Sequence, residues 1–191
     1  MKRISMALAV GSMVLLGGAT ACASTGGGAA AAGVKPAAQT AGSGGQQPEI
    51  VEVPAAVKVP GAAKHIGTFQ GRGVQIYGCT NGAWTLVQPA AIISDGGKPI
   101  ALHSKGPVWT STVDGSTVAA TAVPGAAVQH PDAVPELLLK ADTTSGKGLF
   151  ANVTFVQRLN TKGGLAPKGA CAAGDQTATP YTADYAFWAA N

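Results

Sequence analysis

The feature that most constrains this chain is a series of short period-two runs, each cut off by residues that turn the backbone back on itself. Residues 73–78 (GVQIYG) put Val74 and Ile76 on one face and Gln75 and Tyr77 on the other. Residues 83–87 and 90–93 follow as two runs separated by Gln88-Pro89, and further runs occupy 107–111, 116–121, 136–140 and 149–159. The last run, 181–188, alternates Tyr181, Ala183, Tyr185 and Phe187 against Thr182, Asp184, Ala186 and Trp188. Between the runs stand Asn81-Gly82, Asp95-Gly96-Gly97, Asp114-Gly115, Ser145-Gly146 and Lys162-Gly163-Gly164, which supply the positive φ angles that tight hairpins need. Only 134–141 has room for a turn or two of helix, and its place ahead of Ser145-Gly146 fits a hairpin arm better. Eight to ten short strands at this spacing predict an all-β fold: a single antiparallel β-sandwich or barrel-like domain.

That domain is expected to span 49–191, because the composition changes ahead of it. Residues 22–48 are dominated by Ala, Gly, Ser, Thr and Gln and lack any aromatic residue, the composition of a flexible, disordered tether. About 25 such residues span roughly 25–30 Å on average. Residues 1–21 read as a signal peptide of the lipoprotein type, with Lys2 and Arg3 ahead of the apolar stretch 6–16 (MALAVGSMVLL). Ala19-Thr20-Ala21-Cys22 resembles a lipobox, in which the Cys is acylated and becomes the new N-terminus, although Ala19 stands where Leu is usual. The same small residues suit an ordinary signal peptidase cutting after Ala21 or Ala23, so plain secretion is the alternative. No later apolar run reaches the roughly 18 residues of a membrane span.

Charge and cysteine usage agree with export. The formal net charge is +4; without Lys2 and Arg3, eleven Lys and Arg face nine Asp and Glu, leaving +2 with no basic cluster. A nucleic-acid partner is therefore not expected. The three cysteines are Cys22, Cys79 and Cys171. If Cys22 carries lipid, an even pair remains, and an oxidising compartment favours joining Cys79 to Cys171. Such a bridge would constrain the unfolded chain by up to about 4.6 kcal/mol in the loop-entropy picture. Two buried free thiols are the alternative.

Signals of catalysis are sparse. His65, His103 and His130 lie far apart in sequence, and neither HxH nor HxxxH spacing occurs, so neither a metal site nor a cofactor is expected. There is no Gly-x-Ser-x-Gly elbow, and no catalytic residue is assigned. Asp184 is conspicuous, since a carboxylate in an aromatic strand is costly to bury alone, and Arg158 is its expected partner. With Gln75, His103 and Gln157 these residues form a candidate ligand pocket. Carboxylates for a glycosidase pair exist at Asp114, Asp132, Glu136 and Asp184, but nothing in the sequence singles out two of them. Trp84, Trp109 and Trp188, with Tyr77, Tyr181 and Tyr185, are expected mainly in the core.

Several stretches carry a resemblance. Val53-Pro54, Val59-Pro60-Gly61 and Gly73-Val74-Gln75-Ile76-Tyr77-Gly78-Cys79 are followed by His103-Ser104-Lys105-Gly106-Pro107-Val108-Trp109 and Gly146-Lys147-Gly148-Leu149-Phe150. The most specific is Phe155-Val156-Gln157-Arg158-Leu159-Asn160-Thr161-Lys162-Gly163-Gly164, with Cys171 and Pro180-Tyr181-Thr182-Ala183-Asp184-Tyr185 beyond it. Over roughly residues 50–188 the chain resembles a family of exported bacterial and fungal proteins catalogued only as domain of unknown function 3455. The resemblance implies a secreted all-β domain in which the two later cysteines recur, and it implies no reaction. Glu136 departs from it, since an aromatic residue is expected after Pro135.

Taken together, the sequence points to an exported cell-envelope lipoprotein, extracytoplasmic and membrane-anchored through Cys22. Its β-domain is expected to bind a wall glycan, a small molecule or an envelope protein. A structural or stress-protective coat protein is the alternative, and an extracytoplasmic hydrolase built from His103, Asp114, Arg158 or Asp184 is a third. Replacing Cys22 by Ser is expected to move the protein from the membrane fraction into the soluble fraction of fractionated cells. Retention on the membrane would remove the lipid anchor.

Overall fold

The computed structural model describes residues 53–191; the expected signal peptide, Cys22 and the whole of the expected tether lie outside the described residues. A single turn of 3-10 helix, Ala55–Val57, precedes eight strands: β1 (Ala63–Thr80), β2 (Ala83–Asp95), β3 (Lys98–Ser104), β4 (Val108–Ser111), β5 (Thr117–Val128), β6 (Glu136–Ser145), β7 (Val153–Gly163) and β8 (Gln176–Ala190). Each strand pairs antiparallel with the next, and β1 also pairs with β8, so the sheet closes into a barrel. The expected all-β antiparallel domain is present, and its barrel form is the one adopted.

Closure sorts the alternating residues into inward and outward sets. Tyr181, Ala183, Tyr185 and Phe187 of β8 point into the barrel, where they meet Ile93, Trp109, Val118, Leu139, Phe150 and Val156. Gly71 is needed here: a Cβ on it would come within 2.6 Å of the Tyr185 ring. Outside the barrel, a second cluster gathers Val57, Ala126, Leu138, Leu159 and Ala186, with Val53 and Val59 packed against it. The segment before β1 thus lies on the outer wall, tied there by a 2.6 Å hydrogen bond from Gln157 Nε2 to the Val57 carbonyl.

Several boundaries differ from the sequence reading. The runs 83–87 and 90–93 belong to one strand, β2, which continues through Pro89. The proline is tolerated because β3 begins to pair with β2 only at Ala91, so at Pro89 only β1 is a neighbour in the ladder. Two stretches not read as strands are strands: the first half of β1, where Gly67 and Gly71 dilute the pattern, and β3, which starts with Lys98-Pro99. Conversely β7 starts at Val153, four residues later than expected. Asp114 Oδ2 accepts the Leu149 N–H and Ser116 Oγ accepts the Phe150 N–H, which draws 149–151 into a turn and seats Phe150 fully buried among the core side chains.

The residues that turn the chain behave as their composition demands. Asn81 and Gly82 both have positive φ, 52° and 79°, in the two-residue link from β1 to β2. At the same end of the barrel Cys79 and Cys171 form a disulfide, which fastens the end of β1 to the loop between β7 and β8. Backbone bonds from Cys79 N to Asp175 O and from Cys171 N to Gly82 O flank it. Reducing this bridge, or replacing both cysteines by Ala, is expected to lower unfolding stability by about 3–4 kcal/mol in urea titrations, with a larger m-value because the unfolded chain is freed to expand. An unchanged midpoint would show that the loop is held without it.

Candidate binding cavity

All links between an odd-numbered strand and the next (β1–β2, β3–β4, β5–β6 and β7–β8) lie at the end that carries the disulfide. Here the barrel interior is not filled. A cavity of about 430 Å³ extends inward from Leu86, Val87, Lys105 and Pro107 at the rim, past Leu137 and Leu139, to Gln75, His103, Trp109, Arg158 and Tyr185. The rim owes its shape to a β-bulge: Ile76 pairs with Gln88 and Tyr77 with Leu86, so Val87 has no partner across the ladder. Leu86 and Val87 therefore both border the cavity, and both are exposed.

His103 and Trp109 are opposite one another on β3 and β4, and their rings stack at 4.3 Å and 7°. His103 Nδ1 lies 3.0 Å from the Val108 carbonyl, which can only accept, so Nδ1 carries the proton. Burial pulls the His103 pKa down to about 4; the Val108 bond opposes this, and the Arg158 charge adds to it. The imidazole is therefore neutral at pH 7. Tyr185 stands edge-on to both rings, and its hydroxyl meets that of Tyr181 at 3.1 Å. Burial raises the pKa of Tyr185 well above its usual value and also raises those of Tyr181 and Tyr77, so all three phenols stay protonated.

Three polar atoms in the cavity wall have no partner. Gln75 is 1% exposed, and neither Nε2 nor Oε1 of its carboxamide makes a hydrogen bond; Trp109 Nε1 is buried and unpaired as well. Buried polar groups are almost always satisfied, so three orphans around one cavity are unusual. Arg158 faces Leu137 and Tyr185 in the sheet, and its Nε and Nη2 donate to the Pro135 carbonyl at 3.0 and 2.8 Å. Its side chain makes no ion pair, since the single pair among the described residues is His130 with Glu136.

Of the five residues assigned to a pocket from sequence, the structure brings Gln75, His103 and Arg158 to this cavity and places Gln157 and Asp184 on the outer wall. The reason is strand parity: Gln157 precedes Arg158 and Asp184 precedes Tyr185, and neighbours on a strand face opposite sides. Gln157 is spent structurally, donating to Val57 O and accepting from Trp188 Nε1 at 2.7 Å. Asp184 accepts from Asn160 Nδ2 at 2.8 Å, so its partner is Asn160 and not the expected Arg158. It borders a separate outer hollow with His130 and Glu136. Glu136, the departure from the family pattern, is buried there and accepts the Asn160 N–H.

The remaining hydrolase candidate, Asp114, belongs to the opposite end of the barrel. Hydrogen bonds from Ser116, then from the Leu149 N–H, hold its carboxylate down to a pKa of about 2. It anchors two turns and does not join His103. Trp109 and Tyr185, expected in the core, are core and cavity wall together. The sequence does not single out Lys105, and it puts Pro107 at the start of the run 107–111; both lie in the short link between β3 and β4.

Residues 95–189, from the end of β2 through most of β8, match a protein family described as "Protein of unknown function (DUF3455)". This stretch of the chain resembles that family; the opening motif that ends at Cys79 lies outside the match. Neither a curated protein nor a solved structure matches the chain.

The depressed pKa of His103 has a consequence for acid stability. Above its ordinary value of 6.5 the residue is neutral in both folded and unfolded chains. Below that value the unfolded chain takes up the proton and the folded barrel does not, until the pH nears 4. Stability from this residue is thus fully present above pH 6.5 and is lost as the pH falls toward 4, by about 3 kcal/mol in all. In denaturant titrations at pH 7 and pH 4.5, His103→Phe is expected to lose distinctly less stability between the two pH values than the parent. Equal losses would mean that His103 is accessible to protons in the folded state.

Proposed function

We propose that this protein is an exported, envelope-anchored binding barrel that holds a small organic molecule in the open end of its β-domain. The observation that carries the reading is the Gln75 carboxamide, 1% exposed and with neither polar atom bonded, at the wall of the cavity. Leaving a buried donor or acceptor unmet costs about 1–3 kcal/mol, a cost that a bound molecule would offset. The cavity volume lies within the range of small-molecule sites, and an eight-stranded barrel has room for one small ligand in its interior. The leader-like residues 1–21, the Cys22 motif and the low-complexity stretch after it support placement outside the cytoplasm on a membrane tether.

Protein isolated from its own host and weighed by native mass spectrometry is expected to carry extra mass that disappears on denaturation. Gln75→Leu is expected to lose that mass while its ligand-free form gains about 1–2 kcal/mol in stability, because the orphan amide is gone. A bare mass in the parent protein, together with no stability gain in the variant, would overturn the binding reading.

A further inference from the structure

The balance of charge and hydrogen-bonding groups in the cavity specifies its ligand further. No Asp or Glu is among the lining residues, whereas Arg158 stands inside and Lys105 at the rim. Arg158 is half-buried and, among the described residues, has no carboxylate partner, so its charge is available to an anion that enters the cavity. Nε and Nη2 are bonded to Pro135 O and the Tyr185 hydroxyl stands beside the guanidinium as a further neutral acceptor, so none of its N–H groups meets an anion from these residues. Neutral His103 adds no charge.

The orphan groups have the same bias. Gln75 Nε2 and Trp109 Nε1 are donors without acceptors, and both fit the oxygens of an anion. Gln75 Oε1 is the one orphan acceptor in the cavity wall, and it calls for a hydroxyl or N–H on the ligand. Leu137, Leu139, Pro89 and Leu86 supply apolar surface for the remainder.

We infer that the cavity takes a small organic carboxylate with an apolar body and a hydroxyl or amino donor close to the carboxyl group, held between Arg158 and the Gln75 and Trp109 donors. This rests on the binding reading above. Two bonds donated by Arg158 to Pro135 O make the arginine part of the wall as well as of the site, so the rim lysine gives the cleaner variant.

The test uses the full chain and a matched set of probes: 2-hydroxybenzoate, benzoate and the neutral 2-hydroxybenzamide, titrated calorimetrically at pH 7, with Trp fluorescence as a second readout. The expected order is 2-hydroxybenzoate tightest, with the neutral amide weaker by about ten-fold or more, as the loss of one charge-assisted bond implies. Lys105→Ala is expected to weaken the two carboxylates several-fold and to leave the amide unchanged, with an unaltered melting temperature. Equal binding of acid and amide would overturn the carboxylate inference and leave the cavity reading standing. Binding of the neutral apolar dye 1-aminoanthracene, with none of the three probes bound, would do the same. If neither the dye nor any probe binds, and the host-purified protein carries no extra mass, both readings fail together.

Discussion

The pairing of β1 with β8, which runs from Ala63 opposite Ala190 to Gly78 opposite Gln176, is the constraint on which the rest of this molecule depends. Without it the eight strands would be a meander with two long edges, each a row of unpaired backbone groups. With it, each strand has an inside and an outside that its neighbours enforce. A slip of one residue anywhere would turn an inward set of aromatics out to solvent. Trp109, Tyr185 and Phe187 meet inside the tube because β4 and β8 are held in register around the same closed sheet.

The two ends of the tube are finished differently. At one end Asp114 and Ser116 capture the backbone of Leu149 and Phe150, and the Phe150 ring packs at 4.8 Å from Phe187, so side chains fill the interior. At the other, a four-residue β4 and the bulge at Val87 shorten and widen the wall, while the disulfide secures the loops around it. The fold spends its large aromatics on the closed end and the barrel waist. Polar groups collect toward the open end, where their hydrogen bonds are incomplete.

How much of this could be read from the residues follows from the same geometry. The alternation in β1 and β8 was visible, as were the turns at Asn81-Gly82 and Asp114-Gly115, because both depend on local preferences. Alternation separates Gln75 and Tyr77 from Val74 and Ile76 but does not say which pair faces inward; Gln75 and Tyr77 do, and only barrel closure decides that. Likewise Gln157 and Arg158 are equivalent as sequence but serve opposite faces. β3 and the first half of β1 were hidden because glycine and proline mask strands that tertiary pairing sustains. The cysteine pair was legible by counting, since a bridge needs only two partners and an oxidising setting.

The segment on the outer wall has a mechanical meaning. Val53, Val57 and Val59 pack against β5 to β8 side chains, and Gln157 grips the Val57 carbonyl. A load entering the chain at Val53 therefore meets this lateral contact before it reaches Ala63. Pulling would have to shear several side chains and a buried hydrogen bond at once, whereas a strand tugged directly from its tip unzips one bond at a time. The barrel seam is thus shielded from tension arriving from the N-terminal side.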